Sequence, residues 1–395
     1  MDHEDKVHKI RPILQMLRDA LNRIPKEECL CVDEQIVPFK GRSSLKQYNA
    51  KKPHKWGYKI WALCGKSGFA YDIELYTGKE NNVIQGEVDC GASSNVVVRL
   101  SRTIEPVGHT LYFDNYFTSV DLLVFLEKRG IHSVGTVRSN RLTNLSPMSE
   151  KELKKSGRGS MNEYTTHVDG VDIYYVQWFD NKVVNLLSTF AGMEPINKVN
   201  RWFSSLKQRR EIDCPDVVRI YNKHMGGVDL LDSLLGLHRT NVRSKKWYHR
   251  IFFHCMDMVV VNSWLLYRRV HVQNQLNVAS LSLADFKADL AESLCKFRKG
   301  SAKKRRKKVD QAWKPSWMLL QRKHVGKTLF LPRMFELMKL VIGQHGQMND
   351  SVAECLHVMD NHVSNAKSVK QVYVSQKIVI ASRHFIRNNF KVAGI

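Results

Sequence analysis

The chain has 395 residues, 43% of them hydrophobic, enough for a substantial buried core and two or three domains. Its 62 Lys and Arg against 38 Asp and Glu give a formal charge of +24, so a polyanion is the leading partner. The longest apolar run, Ile251 to Leu266, is interrupted by His254, Asp257 and Asn262; it reads as a buried helix, and no membrane partner or signal peptide is expected. Eight cysteines are scattered without a CxxC pair, which argues against a zinc knuckle or a disulfide framework and for a reducing compartment.

Apolar residues at three-to-four spacing from Val7 to Ile24 predict an amphipathic helix that stops at Pro25. Leu30 to Val37 predicts a strand with acids at its centre, followed by a basic loop from Lys40 to Pro53. Gly57 to Leu63 and Phe69 to Leu75 predict a hairpin, and the three strands an antiparallel meander. Residues 77–95 read as loop, and Val96 to Leu100 is too short to assign. Thr110 to Asn115 predicts a strand carrying an acid at its end. Ser119 then caps a helix from Val120 to Arg129, Gly130 stops it, and Ile131 to Val137 completes a β-α-β unit.

From Arg138 the chain turns polar, and Val171 to Phe179 with Val183 to Phe190 predicts a further hairpin. This stretch reads as an insertion between halves of one domain, because the helix opened by Gly226 and Gly227 has no sheet of its own. Helices are expected from Trp247 to Arg269 and over residues 281–299, ahead of the basic run Lys303, Lys304, Arg305, Arg306, Lys307 and Lys308.

On the glycine-led helix, Asp229 and Asp232 share a face by their i, i+3 spacing, opposite a stripe of Leu230, Leu231, Leu234 and Leu235 expected to be buried. Acids at a helix start are ordinarily caps or dipole partners. Asp33 and Asp114 offer a sharper alternative, since strands of one sheet can bring such acids together. A hard cation takes oxygen ligands, and two such ions can clamp the attacking and leaving oxygens of a phosphodiester. Among 38 acids, spacing alone leaves this one triplet of many.

Five blocks in order narrow the choice. They are Cys31-Val32-Asp33-Glu34-Gln35, Lys52-Pro53-His54-Lys55-Trp56-Gly57-Tyr58-Lys59, Phe113-Asp114-Asn115-Tyr116-Phe117-Thr118-Ser119, Val134-Gly135-Thr136-Val137-Arg138-Ser139-Asn140, and Tyr221-Asn222-Lys223 with Gly226-Gly227-Val228-Asp229-Leu230-Leu231-Asp232. Together they resemble the signature of the piggyBac transposase family over roughly residues 5–300. The resemblance implies an α/β fold: an RNase H-like core, a mixed sheet with flanking helices, interrupted by an insertion domain and followed by a helical basic region. It implies Asp33, Asp114 and Asp229 as catalytic metal ligands, Asp232 as a further catalytic acid, two Mg²⁺ ions and no zinc. The implied chemistry is nicking at transposon ends, hairpin formation and opening, and insertion at TTAA sites. The expected divisions are 1–28, a residual N-terminal helix; 29–138, the first core part; 139–214, the insertion; 215–239, the last core helix; 240–300, a helical DNA-binding or dimerisation remnant; 301–308, the basic cluster; and 309–395, an unassigned tail.

DNA is the expected partner, with a homodimer a second expectation. Phosphate contacts are expected from Lys40, Arg42, Lys51, Lys52, Lys55, Lys59, Arg138, Arg239, Arg243, Lys245 and Lys246. Between Arg239 and Lys308, 17 Lys and Arg stand against four acids, which supports a polyanion partner independently of the resemblance. Tyr221, His238, Trp247 and Tyr248 could stack on unpaired bases, although aromatic residues in such places more often belong to a core. The run at 303–308 reads as a nuclear-import signal, so the nucleus is the expected compartment. The family's long N-terminal region and its cysteine-rich end have no counterpart here. The alternative to a cutting enzyme is therefore a transposase-derived, non-catalytic nuclear DNA-binding or chromatin protein, and a third is a fragment without a stable fold.

Overall fold

The structure is a computed structural model that describes residues 5–50, 52, 54–78, 88–142, 145–275 and 279–296. Lys51, the basic run at 303–308 and the tail at 309–395 lie outside the described residues. In chain order the elements are α1 (Arg11–Asn22), β1 (Cys29–Pro38), β2 (Gln47–Tyr48), β3 (Trp56–Gly65), β4 (Ala70–Leu75), α2 (Ser94–Ser101), β5 (His109–Phe113), α3 (Val120–Lys128), β6 (Ile131–Thr136), α4 (Glu150–Lys155), β7 (Met161–Val168), β8 (Val171–Phe179), β9 (Val183–Ser188), β10 (Asn197–Phe203), β11 (Gln208–Cys214), α5 (Asp216–His224), α6 (Gly227–Leu237), α7 (Trp247–Gln273) and α8 (Leu283–Lys296). The described residues divide between two compact units, one within residues 21–36 and 59–232, the other within residues 5–20, 37–58 and 233–296.

The first of these is built on a large mixed sheet in the order β3-β1-β5-β6-β9-β8-β7, with β4 also paired to β3. β1, β5 and β6 run parallel; β6, β9, β8 and β7 alternate in direction. The predicted β-α-β unit is present as β5-α3-β6. Ser119 caps α3 by accepting the Leu122 N–H at 3.2 Å, and Leu122, Leu123 and Leu126 are buried, so one apolar stripe packs on the sheet. Gly130, at φ +73°, supplies the left-handed turn that returns the chain to β6. The hairpin of β8 and β9 does not stand apart: β9 pairs with β6 through Val134 and Ser188, so the polar stretch after Arg138 extends the same sheet.

Several elements lie where no local pattern predicts one, among them α2, β7 and β10. Val96 to Leu100 belongs to helix α2, whose Val96, Val97, Val98 and Leu100 are buried and whose Arg99 forks onto Glu74 at 2.7 and 2.5 Å. Neither β7 nor β10 alternates apolar with polar residues cleanly, and that alternation is the only local sign of a strand.

In the other unit, β2 pairs with the first residues of β3, and α7 dominates. α7 is buried on all sides over most of Tyr248 to Leu265, as expected for a helix whose apolar residues are not confined to one stripe. Among the described residues, no helix is long and apolar enough to cross a membrane.

Candidate active site

Parallel neighbours β1 and β5 place Val32 opposite Phe113. One step further along each chain stand Asp33 and Asp114, so the register sets them level, on one face, at the end of the parallel pairing. In sheets with parallel strands, the carboxyl ends of the strands are where ligands gather. Local bonds hold both acids: Asp33 Oδ1 accepts the Glu34 N–H at 2.7 Å, and Asp114 Oδ1 accepts the Tyr116 N–H at 2.8 Å. The Thr118 hydroxyl also donates to the Asp114 carbonyl at 2.9 Å.

α6 brings the other two acids to β1. Gly227 lies so close to the Gly65 carbonyl and Cys31 Sγ that a Cβ there would collide with both, whereas Gly226 faces open space. Of the glycine pair, it is Gly227 that lets the helix approach strand backbone. Gly227→Ala should cost about 1–3 kcal/mol through overpacking, read as a lower denaturation midpoint, while Gly226→Ala should leave that midpoint nearly unchanged. Asp232 accepts a 2.8 Å bond from Gln35 Nε2. Gln35 is fully buried and, two residues beyond Asp33, shares its face of β1. Asp229 is exposed in the first turn of α6. It and Asp33 both act on the Cys31 thiol, which burial above all pushes up to about 12. The apolar stripe is shifted from the expected one: Val228, Leu231 and Leu235 are buried, and Leu230 is 41% exposed over the turn glycine Gly68. A period of 3.6 residues joins 228, 231 and 235, and it leaves 230 at the edge.

Burial raises the Asp114 carboxyl above its ordinary range; the Tyr116 N–H, Arg138 and Lys59 pull it back, and Glu34 pushes it further up. Two of the expected phosphate-binding residues, Lys59 and Arg138, therefore stand near the acids, and Arg138 Nε is held by Asn115 Oδ1 at 3.2 Å. Lys59 Nζ lies 4.2 Å from the Trp61 ring centroid and 5.1 Å from that of Tyr116, which stacks on Trp61 and is 37% exposed. Tyr221, hydrogen-bonded to Thr136, is raised by burial and feels both Asp114 and Asp33. The sequence reading missed Gln35, Glu34 and Tyr116 as site residues, although all three sit inside the quoted blocks. Lys40, Arg42, Lys52, Lys55, Arg239, Arg243, Lys245 and Lys246 belong to the other unit. There, Lys40, Arg42, Lys55, Arg243 and Lys245 are exposed, and Lys46 lies 4.9 Å from the ring of Trp56, which with Tyr48 forms an exposed aromatic pair.

Among the described residues, no three His, Cys, Asp or Glu side chains gather closely enough to cage a metal ion. The donor set still fits Mg²⁺, which keeps several waters and takes only one or two carboxylates from a protein. Asp33 and Asp114 supply two oxygen donors side by side, and the Asp114 carboxyl, partly withdrawn from water beside Glu34, carries negative charge that a cation would offset.

A mixed sheet with acids at the ends of its parallel strands is an architecture suited to phosphodiester chemistry. The model of the family Transposase IS4 matches residues 1–264, and the chain belongs to this family, on its piggyBac-like branch. The chain is 33% identical over 272 residues to human PiggyBac transposable element-derived protein 3 and 30% identical over 272 residues to human PiggyBac transposable element-derived protein 2; each match takes 68% of this chain and 45% of the relative. The chain thus spans about half the length of these curated relatives. Its fold is similar to that of the piggyBac transposase in the cryo-EM structure of a synaptic complex with hairpin DNA, with a TM-score of 0.59 and 21% identity over 93% of this chain and 69% of that one.

Proposed function

We propose that this transposase-derived, piggyBac-like protein is a DNA strand-cleaving and strand-joining enzyme with an RNase H-like core, acting at transposon ends and TTAA targets. The observation that carries the reading is the register that sets Asp33 and Asp114 level on β1 and β5. In this reading those two acids and Asp229 hold the divalent ions, and Asp232, fixed by Gln35, is a second acid on the same helix face. Bound Mg²⁺ supplies an activated oxygen nucleophile and stabilises charge on the leaving oxygen. Lys59 and Arg138 neutralise the phosphates on either side of the scissile bond and orient it. Tyr116, backed by Trp61, offers a flat face to a base unpaired at a hairpin end. Residues 139–214 correspond to the family's insertion.

The test is nicking of a transposon-end duplex by the purified chain. Cleavage should need Mg²⁺, stop when EDTA removes it and return when Mg²⁺ is added in excess. The charge of +24 and the exposed Lys40, Arg42, Lys55, Arg243 and Lys245 fit a second reading as well, a non-catalytic DNA-binding protein. Saturable binding of the same duplex with no nicking at any Mg²⁺ concentration would establish that second reading and end the first.

A further inference from the structure

β10 and β11 form a two-stranded ribbon, paired from Asn197 with Cys214 to Phe203 with Gln208. Its inner face is tied down. Asp180 receives both Arg158 and Arg201, the Trp178 indole donates to the Asp213 carbonyl at 2.8 Å, and Arg158 donates to the Trp202 carbonyl at 2.8 Å. On the outer face near the base, Lys198 pairs with Asp213, so the positive excess collects at the tip. From Arg201 to Arg210 there are four basic residues and no acid. The same tip carries Trp202, 56% exposed, and Leu206, 47% exposed, while Arg209, opposite Trp202, and Arg210 are exposed as well.

A rigid, narrow, cationic ribbon bearing an exposed indole matches one kind of surface. The major groove of duplex DNA admits a two-stranded ribbon, its walls are lined with phosphates for arginine forks, and thymine methyl groups give its floor apolar contacts for Trp. We propose that the β10–β11 ribbon is a DNA-docking element, with Arg209 beside Trp202 on one face and Arg210, opposite Arg201, on the other, each meeting a backbone phosphate, and Trp202 against the groove floor. The proposal rests on the reading that this chain acts on DNA and adds a contact supplied by none of the acids or expected basic residues.

The experiment is a titration of the full chain against a short fluorescent duplex by anisotropy, across a KCl series. Wild type is compared with the double variant Arg209→Ser, Arg210→Ser and with Trp202→Ala. At about 0.9 of a unit per phosphate, the double variant should flatten the slope of log affinity against log salt by about 2. Trp202→Ala should weaken binding about tenfold with the slope unchanged, as the loss of one interface anchor does. All these side chains are exposed, so unfolding midpoints should match wild type; should the double variant fail that check, Lys207→Ser carries the slope test. If wild type binds duplex and the variants follow it in slope and affinity, the ribbon proposal is overturned while the DNA reading stands. If the variants lose affinity for a single-stranded RNA probe but not for duplex, the ribbon's assignment to duplex DNA is wrong. If it binds no duplex at all, the DNA reading fails as well.

Discussion

Replacing Asp114 with Asn should lower the proposed metal-dependent strand cleavage by roughly 10³-fold or more, the scale on which groups that act in the transition state are lost, and should do so without lowering the unfolding midpoint. Both halves follow from one environment. The carboxylate is level with Asp33 at the end of the parallel strands, where on the proposed function its charge would serve a cation. The same charge is a burden to the empty fold, since burial and then Glu34 disfavour it against the pull of Tyr116, Arg138 and Lys59. Asparagine keeps the acceptor oxygen for the Tyr116 N–H and discards the charge. The apo variant should therefore unfold at the wild-type temperature or above it. A second readout needs no catalysis: Mg²⁺ at ~100 times its Kd should stabilise wild type by about 2.7 kcal/mol and the variant by much less. Asp121→Asn, an exposed acid in the first turn of α3, should leave both readouts unchanged. Cleavage surviving in Asp114→Asn, or a wild-type midpoint indifferent to Mg²⁺, would remove the acids from the mechanism.

What local sequence could reveal about this site was uneven, for physical reasons. β1, β5 and β6 carry short apolar runs and α3 a period-3.6 stripe, and a cap and a glycine mark the ends of α3, so the frame that presents Asp33 and Asp114 is legible in the sequence. That the two acids stand level depends on register, and register is a property of strand pairs that no single segment encodes. Gln35 illustrates the limit. In sequence it is a polar residue at the centre of an apolar strand; only the packing of α6 against β1 shows that it is buried to hold Asp232. Leu230 was misread because four leucines offered two adjacent stripes, and the approach of Gly227 to Gly65 selects the one through Val228, Leu231 and Leu235. The ribbon was invisible for another reason. Strands that alternate charged with polar residues bury little, and β10 and β11 are held by backbone pairing and by arginines on Asp180 rather than by an apolar face.

Lys287→Met should cost about 3–5 kcal/mol in the unit that contains α7 and α8, the usual penalty for stripping one partner from a buried ion pair. Lys287 Nζ lies 3.6 Å from Asp257 Oδ1, with the two side chains 2% and 6% exposed, and it donates to the His238 carbonyl at 2.8 Å. Asp257 in turn accepts the Thr240 N–H at 2.9 Å and the Thr240 hydroxyl at 2.8 Å, which ties the turn after α6 to the middle of α7. Burial drives both groups toward their neutral forms, Asp257 upward and Lys287 downward, and each is held charged by the other. Without Lys287 the Asp257 carboxyl climbs further. A carboxyl whose pKa rises on folding costs stability once the pH exceeds its unfolded value, and the cost is complete above its folded value. The deficit of Lys287→Met should therefore be largest at neutral pH and shrink as the solution is acidified toward the ordinary carboxylate range, where Asp257 takes up a proton in both states. Adding Asp257→Asn should recover part of the loss at pH 7, because no lone charge then remains buried, while Thr240 keeps an acceptor. Urea midpoints of wild type, Lys287→Met and the double variant at several pH values decide the matter. A deficit independent of pH, or a double variant no better than Lys287→Met, would mean that Lys287 contributes through its packed methylene stem and its bond to His238, and that its charge does not steady Asp257.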